Sequence, residues 1–229
     1  MKKEVPAQNT PVIKAVIFDM DGVIIDSEPV WKEIEQGFYE QLGINLSPEK
    51  LKTSIGRSAI EWWSEIIEEY NLDADAQELA EFETLCYRDF LDDDERRKPI
   101  MPEITEALKH LSSMGIRIAV ASGSPTEVIP RVLKLADPDG SIDAWISAEN
   151  DTIQNGKPAP DIFLHAASML AADPENCLVV EDSYNGLLAA KAAGMQAVAY
   201  LSWGEDMNTD PADYVIKRHS ELFGLPFFS

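Results

Sequence analysis

The chain has 229 residues, with 41 acidic and 19 basic side chains that give a formal net charge of −22 at pH 7. This length can bury the core of one large α/β domain, or of a core domain with a smaller companion. The negative charge argues against binding to nucleic acid or to an anionic membrane, because both require clustered lysine and arginine. An anionic substrate must therefore be attracted locally, by a metal ion and a few cationic side chains.

The cysteines and the apolar runs predict where the protein resides. Cys86 and Cys177 lie in apolar segments without metal-ligand spacing, which predicts buried thiols, a reducing compartment and no disulfide. No run reaches the ~18 apolar residues of a membrane span, and residues 1–10 lack the apolar region of a signal peptide. We therefore expect a soluble, cytoplasmic protein with a flexible tail at residues 1–10, and we expect it to be monomeric.

The first predicted strand, residues 12–18, ends in two carboxylates. Asp19 and Asp21 follow its β-branched run, and Gly22 permits the backbone to turn there without a Cβ clash. Ligands of open parallel sheets bind at the carboxyl ends of the strands, so both aspartates are expected in a site rather than in the core. Two such carboxylates repel each other unless a cation lies between them, and their oxygen atoms suit Mg²⁺. The alternative is a solvated acidic turn.

The segment at residues 29–97 is predicted to be a separate, all-helical domain. Ser27 is a candidate N-cap for its first helix, which Gly43 ends, and residues 58–61 form a capping box for its third helix. The charged run at residues 92–99 is interpreted as a solvated hinge.

From Pro102 onward, helices alternate with short β-branched strands, which is the pattern of a doubly wound α/β fold with a parallel sheet. The predicted core domain therefore consists of residues 11–28 and 98–229, with the smaller helical domain inserted between these two parts. In such a sheet the carboxyl ends of the strands meet at one edge. Three predicted strand ends and one helix start carry polar groups there. They are Asp19 and Asp21; Ser122, the backbone of Gly123 and Ser124; Glu181 and Asp182; and Lys157.

These side chains could together stabilise the transfer of a phosphoryl group. A carboxylate that attacks a phosphate dianion meets a repulsion of ~4 kcal/mol per charge pair at an effective dielectric near 20. Mg²⁺ between Asp19 and Asp182 would offset most of this repulsion, and Lys157 would offset the rest. The hydroxyl of Ser122 and the N–H groups that follow it would donate to phosphoryl oxygens. Asp21 would give a proton to the leaving oxygen and later take one from water.

Each motif alone also fits an ordinary turn, a helix cap or a solvated loop cation, but their joint order is more specific. Over residues 15–200 the four motifs resemble those of the haloacid dehalogenase superfamily of phosphotransferases. Within it, the chain resembles the β-phosphoglucomutase and sugar-phosphate phosphatase group, which has a Rossmann-like core and a helical cap after the first motif. The resemblance implies that residues 29–97 form a mobile cap, whose loop at Gly56 and Arg57 reaches into the active site.

The resemblance also implies a role for each motif residue. Asp19 would form an aspartyl-phosphate, and Asp21 would be the general acid and base. The phosphoryl group would be held by Ser122, Gly123, Ser124 and Lys157. The Mg²⁺ ligands would be Asp19, Asp21, Glu181 and Asp182.

The function predicted from this resemblance is Mg²⁺-dependent hydrolysis of a small phosphorylated metabolite, a sugar or sugar-alcohol phosphate, through an aspartyl-phosphate. The alternative is a β-phosphoglucomutase, which interconverts β-glucose 1-phosphate and glucose 6-phosphate. Mutases of the family use a histidine on the first cap helix and a cap lysine. Trp31 occupies the place of the histidine here, and Glu83 lies near that of the lysine, so both departures favour hydrolysis.

Three other functions fit the sequence less well. Phosphonate cleavage requires a cap lysine that forms a Schiff base, for which Lys50 and Lys52 are weak candidates. Dehalogenases of the family lack the second aspartate, which is Asp21 here. A receiver-like signalling switch is compact, without a large helical insertion, and needs no acid/base group beside its phosphorylated aspartate.

Several other residues carry little functional information. Trp62 and Trp63 are expected in the core of the helical domain. Arg57 is equally compatible with a substrate contact and with a solvated surface charge. No function is assigned to the three histidines, which lie away from every motif: His110, His165 and His219.

Overall fold

A computed structural model describes residues 11–51, 53, 58–96, 98–201 and 207–228. The predicted tail at residues 1–10 and the loop pair Gly56 and Arg57 lie outside the described residues. The chain divides into two compact units. The α/β unit comprises the described residues up to Asp26 and those from Pro99 onward, and the helical unit is Ser27–Lys98.

Within the described residues, the α/β unit contains a six-stranded parallel sheet in the order β3-β2-β1-β4-β5-β6. The strands are β1 (Ala15–Phe18), β2 (Arg117–Ser122), β3 (Ala144–Ser147), β4 (Cys177–Glu181), β5 (Gln196–Tyr200) and β6 (Tyr214–Ile216). The helices of the helical unit are α1 (Glu28–Leu42), α2 (Pro48–Leu51), α3 (Ala59–Tyr70) and α4 (Ala76–Asp92). Those of the α/β unit are α5 (Ile104–Ser113), α6 (Ile129–Ala136), α7 (Asp161–Met169) and α8 (Tyr184–Ala192), with 3₁₀ helices at Pro174–Asn176 and His219–Gly224.

This arrangement confirms the predicted doubly wound α/β fold with a smaller helical unit. Both β1 and β4 are buried along their whole length, because a parallel strand covered by helices on both faces is apolar throughout. No helix in the described ranges combines the length and the apolar character needed to cross a membrane.

The position of β1 in the sheet fixes where a ligand crevice forms. The next strand in the chain, β2, lies on one side of β1 and β4 lies on the other, and doubly wound sheets bind ligands where the strand order diverges in this way. Phe18 pairs with Val120 and with Val180. Asp19, the first residue after β1, is therefore aligned with Glu181 of β4 and with the residue that precedes Ser122 in β2.

The helical unit is built around aromatic side chains. Trp63 is fully buried, and the indole N–H of Trp62 donates to the hydroxyl of Tyr39 over 2.9 Å. The expectation that both tryptophans lie in this core is confirmed. The predicted capping box is also present, since the Ser58 hydroxyl accepts from the Glu61 N–H and the Glu61 carboxylate accepts from the Ser58 N–H.

Helix α1 begins directly after Ser27, but the Ser27 side chain makes no capping hydrogen bond. Its backbone, at φ −80° and ψ −23°, is helical, whereas a capping serine needs an extended backbone to reach the amides of the first turn. Pro29 lies in that turn and has no N–H, so one fewer donor requires a partner. Gly43 ends the helix as predicted, at φ 70°.

Glu83 is a buried carboxyl group in the helical unit. It is 4% exposed, and its Oε1 has no hydrogen-bond partner in the described part of the chain. Burial raises the pKa of Glu83 to about 8; the nearby indole N–H of Trp63 opposes this shift, and the Glu35 carboxylate adds to it. Glu83 is therefore mostly neutral at pH 7, which suits a carboxyl group that meets no cationic side chain among the described residues.

We expect the pKa of Glu83 to make the folded state less stable as pH rises. Between its ordinary value of 4.5 and about 8, the unfolded chain releases this proton while the folded chain keeps it. Glu83→Gln removes the effect, so at pH 8.5 the variant should exceed the wild type by a few kcal/mol in unfolding free energy, and at pH 4.5 by little. Urea unfolding at both pH values measures this difference. Glu81→Gln, at an exposed position of the same helix, is the control; equal pH dependence in Glu83→Gln and the wild type would contradict the prediction.

Candidate active site

The turn after β1 places the first-motif carboxylates. The N–H of Asp19 donates to the Val180 carbonyl over 2.9 Å, and the Met20 carbonyl accepts from three later amides of the turn. Gly22 has φ +74°, and a Cβ atom there would lie 1.8 Å from Asp182 Oδ2. Glycine is therefore required both by the backbone conformation and by the close approach of the Asp182 carboxylate.

Lys157 joins the first and the last motif. Its Nζ donates to Asp19 Oδ1 over 2.5 Å and to Glu181 Oε1 over 2.6 Å. Asp19 is 6% exposed and Glu181 is 1% exposed, so both ion pairs are shielded from water. Such charge-assisted hydrogen bonds fix the direction of a carboxylate, and here they orient the carboxylate of Asp19.

The second oxygen of Glu181 is also engaged. Glu181 Oε2 accepts from the N–H and the hydroxyl of Ser183 over 2.7 and 2.8 Å. A Cβ atom at Gly186 of α8 would lie 1.8 Å from Glu181 Oε1, so only glycine leaves room for this carboxylate. The geometry favours a role for Glu181 in holding Lys157, and its role as a metal ligand stays a prediction.

The carboxylates around Lys157 carry more negative charge than this ammonium neutralises. Burial raises the pKa of Asp19 well above its usual value; Lys157 opposes this, while Glu181, Asp182 and Asp21 add to it. Burial, and then the charges of Glu181 and Asp21, likewise raise the pKa of Asp182. For Lys157 burial acts to lower the pKa, but the ion pairs with Asp19 and Glu181 outweigh it and raise the value.

This surplus of negative charge, supplied by carboxylate oxygens alone, fits a hard cation such as Mg²⁺. The charges of Asp21 and Asp182 both raise the pKa of Asp19, and the charge of Asp21 also raises that of Asp182, so the three side chains lie near one another. Among the described residues, no three histidine, cysteine, aspartate or glutamate side chains already converge as a ligand set.

The second motif contacts Asp21. Ser122 ends β2, is fully buried, and donates from its hydroxyl to Asp21 Oδ2 over 3.3 Å. The Ser124 hydroxyl donates to the same oxygen over 2.5 Å, and the Ser124 N–H donates to Ser122 Oγ over 2.9 Å. Space beside Gly123 is open, since a Cβ atom there would meet no other atom within 4 Å. The two hydroxyls therefore converge on one oxygen of Asp21, beside the exposed Gly123.

The structure brings most of the predicted site residues together, and it adds three that sequence analysis missed. Those brought together at the carboxyl edge of the sheet are Asp19, Asp21, Ser122, Gly123, Ser124, Lys157, Glu181 and Asp182. Of the missed residues, Ser183 and Gly186 support Glu181, and Ser147 donates to the Ser124 carbonyl over 2.7 Å. Ser183 had a detectable signal, because serine is a preferred N-cap residue and Ser183 directly precedes α8.

Comparison with known proteins matches the chain to characterised relatives. The family model for haloacid dehalogenase-like hydrolases matches residues 13–194. Hexitol phosphatase B of Escherichia coli K12 is 34% identical over 191 residues, which cover 81% of this chain and 82% of that protein. The β-phosphoglucomutase of Bacillus subtilis is 34% identical over 220 residues, 92% of each chain. A crystal structure of β-phosphoglucomutase from Clostridium difficile has a TM-score of 0.74 at 27% identity, and the match covers 92% of this chain and 93% of that one.

Proposed function

The chain belongs to the haloacid dehalogenase-like hydrolases, and on this premise we propose that it hydrolyses sugar or sugar-alcohol phosphates with Asp19 as the nucleophile. The predicted family is thereby confirmed, and the phosphatases among the relatives identify the chain as a phosphoric monoester hydrolase. The observation that carries the proposal is the buried contact of Lys157 with Asp19 and Glu181 where the strand order diverges. This contact orients one carboxylate beside the crevice in which such sheets bind their ligands.

The first chemical step would transfer the phosphoryl group to Asp19. Lys157 holds Oδ1, which sets the direction of Oδ2 for attack on phosphorus. The bond between phosphorus and the ester oxygen breaks, and the leaving alkoxide takes a proton from Asp21. The Ser122 hydroxyl, which donates to Asp21 in this structure, would turn to a phosphoryl oxygen when substrate is bound.

The second step would release the phosphate. Asp21, now without its proton, takes one from a water molecule that attacks the phosphorus of the aspartyl-phosphate, and the bond to Asp19 breaks. Phosphate leaves and both aspartates return to their first state. Hydrolases of this family generally use Mg²⁺; here Asp19, Asp21 and Asp182 would hold it, and when bound it would supply positive charge against the phosphate.

Hydrolysis and mutase chemistry differ in the treatment of a second phosphate. A mutase must bind the distal phosphate of a bisphosphate intermediate, and an unpaired dianion in a protein of charge −22 is costly. Where family mutases carry a histidine, this chain has Trp31, whose ring lies 4.3 Å from that of Tyr87 between centroids and is tilted by 37°. Near the place of the mutase lysine it has the buried Glu83. Neither is a cation, which favours the hydrolase. The mutase stays the second candidate because of the match over 92% of the Bacillus subtilis enzyme.

The domain roles inferred from the family belong to this proposal as well. Residues 29–97 would act as the cap that selects the substrate, with Gly56 and Arg57 as its contacting loop. A monomeric, cytoplasmic enzyme stays a prediction from composition.

We expect inorganic phosphate to be released from hexitol or hexose monophosphates without a bisphosphate activator. The assay follows phosphate from a panel of such esters with Mg²⁺, and separately follows glucose 6-phosphate and phosphate together from β-glucose 1-phosphate with a trace of β-glucose 1,6-bisphosphate. Asp19→Asn, purified in parallel, is the control for contaminating phosphatases. Glucose 6-phosphate formed in large excess over free phosphate would contradict the hydrolase and establish the mutase.

A further inference from the structure

His219 is a buried histidine that the proposed mechanism does not use. It begins the 3₁₀ helix His219–Gly224 and is fully buried. Its Nδ1 lies 3.1 Å from the carbonyl oxygen of Pro102. A carbonyl can only accept, so Nδ1 carries the proton and donates to Pro102.

The ring of His219 lies near the turn that carries the catalytic aspartates. Its centroid is 6.5 Å from that of Phe18, the residue directly before Asp19, and 4.4 Å from that of Tyr200 at the end of β5. The Val23 carbonyl, two residues after Asp21, is close enough to raise the pKa of the imidazole. Although distant in sequence from every motif, His219 thus lies next to Phe18 and Val23, on either side of the two aspartates of the first motif in the chain.

Hydrogen bonds connect this turn to the segment that His219 holds. The Ile24 carbonyl accepts from the Met101 N–H over 2.8 Å, and the Asp26 N–H donates to the Pro99 carbonyl over 2.8 Å. The segment at residues 99–102 therefore runs beside the turn, and the bond from His219 to Pro102 fastens its end to the 3₁₀ helix. A displacement of Pro102 would be transmitted to the turn through Met101 and Ile24.

We propose that His219 is a positioning residue for the reaction, which holds the turn at residues 19–25 by donating to Pro102 and packing near Phe18. The proposal deepens the hydrolase assignment and rests on it. Attack on phosphorus requires the nucleophile and the acid to be placed within a fraction of an ångström, so a small shift of this turn lowers kcat. Substrate affinity depends mainly on other contacts, so KM should change little.

The charge state of His219 agrees with this role. Burial lowers the pKa of the imidazole; the Pro102 and Val23 carbonyls and the Glu103 carboxylate act in the opposite direction. Glu103 is itself paired with Arg218. The ring is therefore neutral at pH 7, with one N–H, and that N–H is the donor to Pro102.

Two variants separate the hydrogen bond from the packing. His219→Phe keeps a ring of similar volume and loses the donor, while His219→Asn keeps a donor near the place of Nδ1 and loses the ring. We expect kcat to fall at least about tenfold in His219→Phe with KM changed less than about twofold. In His219→Asn we expect kcat to stay within about threefold of the wild type, although its melting temperature should be the lower of the two.

The control is His110→Asn, because exposed His110 contacts the same 3₁₀ helix through Phe223 at 4.3 Å and lies on α5. It should retain wild-type kcat. Equal kcat in the wild type and His219→Phe, or losses that follow melting temperature in both His219 variants, would overturn the proposal.

A second measurement does not depend on substrate. Hydrogen exchange followed by mass spectrometry should show faster exchange of the amides at residues 20–25 in His219→Phe than in the wild type, with β4 unchanged. Unchanged exchange in the turn would overturn the positioning role. If the wild type hydrolysed no phosphate ester, the proposed function would fail, and this exchange experiment alone would decide the inference about His219.

Discussion

Asp19→Asn is expected to reduce turnover by at least about 10³-fold while the protein stays folded. The amide keeps the shape of the carboxylate, but it cannot attack phosphorus and carries no charge for Lys157 or for Mg²⁺. Burial and the neighbouring carboxylates already disfavour a charge on Asp19. The melting temperature of the variant should therefore be no lower than that of the wild type.

The measurement is kcat for the best substrate of the panel, with circular dichroism and thermal unfolding on the same samples. Asp139→Asn is the matched control, because Asp139 is an exposed aspartate that pairs with Lys109 away from the site. It should retain wild-type kcat. Turnover of Asp19→Asn within tenfold of the wild type would contradict the assignment of the nucleophile.

Asp21→Asn is expected to lower kcat by about 10² to 10⁴, the usual range for loss of a general acid and base. Its effect should depend on the leaving group. An alkyl phosphate needs a proton on its leaving oxygen, so both steps should slow. With p-nitrophenyl phosphate the leaving group departs without a proton, so the first step should stay fast and the second should become slow.

Rapid mixing of Asp21→Asn with p-nitrophenyl phosphate should therefore give a burst of nitrophenol close to one equivalent of enzyme, followed by slow release. The wild type with the same substrate serves as the comparison. Ser124→Ala serves as a second comparison, because this variant loses a hydrogen bond to Asp21 but keeps the Asp21 carboxylate. Absence of a burst, with equal losses for alkyl and nitrophenyl esters, would contradict the role of Asp21.

Much of the fold was predictable because its signals are local. The apolar runs of β1 and β4 are continuous, and each ends at a carboxylate, so parallel topology alone brings Asp19 and Glu181 to one edge. The capping box at Ser58 is a four-residue pattern that needs no tertiary contact. Strand ends and capping boxes of this kind can be recognised from the order of residues alone, without knowledge of the tertiary contacts.

The remaining features depend on contacts between distant parts of the chain. Glycine is required at position 186 because the Glu181 side chain occupies the space that a Cβ atom would need there. No local sequence pattern predicts this requirement. His219 lies 117 residues from its acceptor, Pro102. On α4, Glu83 is buried while Phe82 is 48% exposed, because packing against the other helices selects the buried face. Hydrophobicity alone predicts the opposite.

The central claim is that Asp19 carries the phosphoryl group during hydrolysis, and the most direct measurement is to locate that group. Asp21→Asn is mixed with ³²P-labelled p-nitrophenyl phosphate, quenched in acid within the burst and digested for peptide mapping. We expect acid-stable label on the peptide that contains Asp19, and none in the double variant Asp19→Asn/Asp21→Asn. The account would be contradicted if the wild type released phosphate but the label in Asp21→Asn lay on another peptide, or on no peptide.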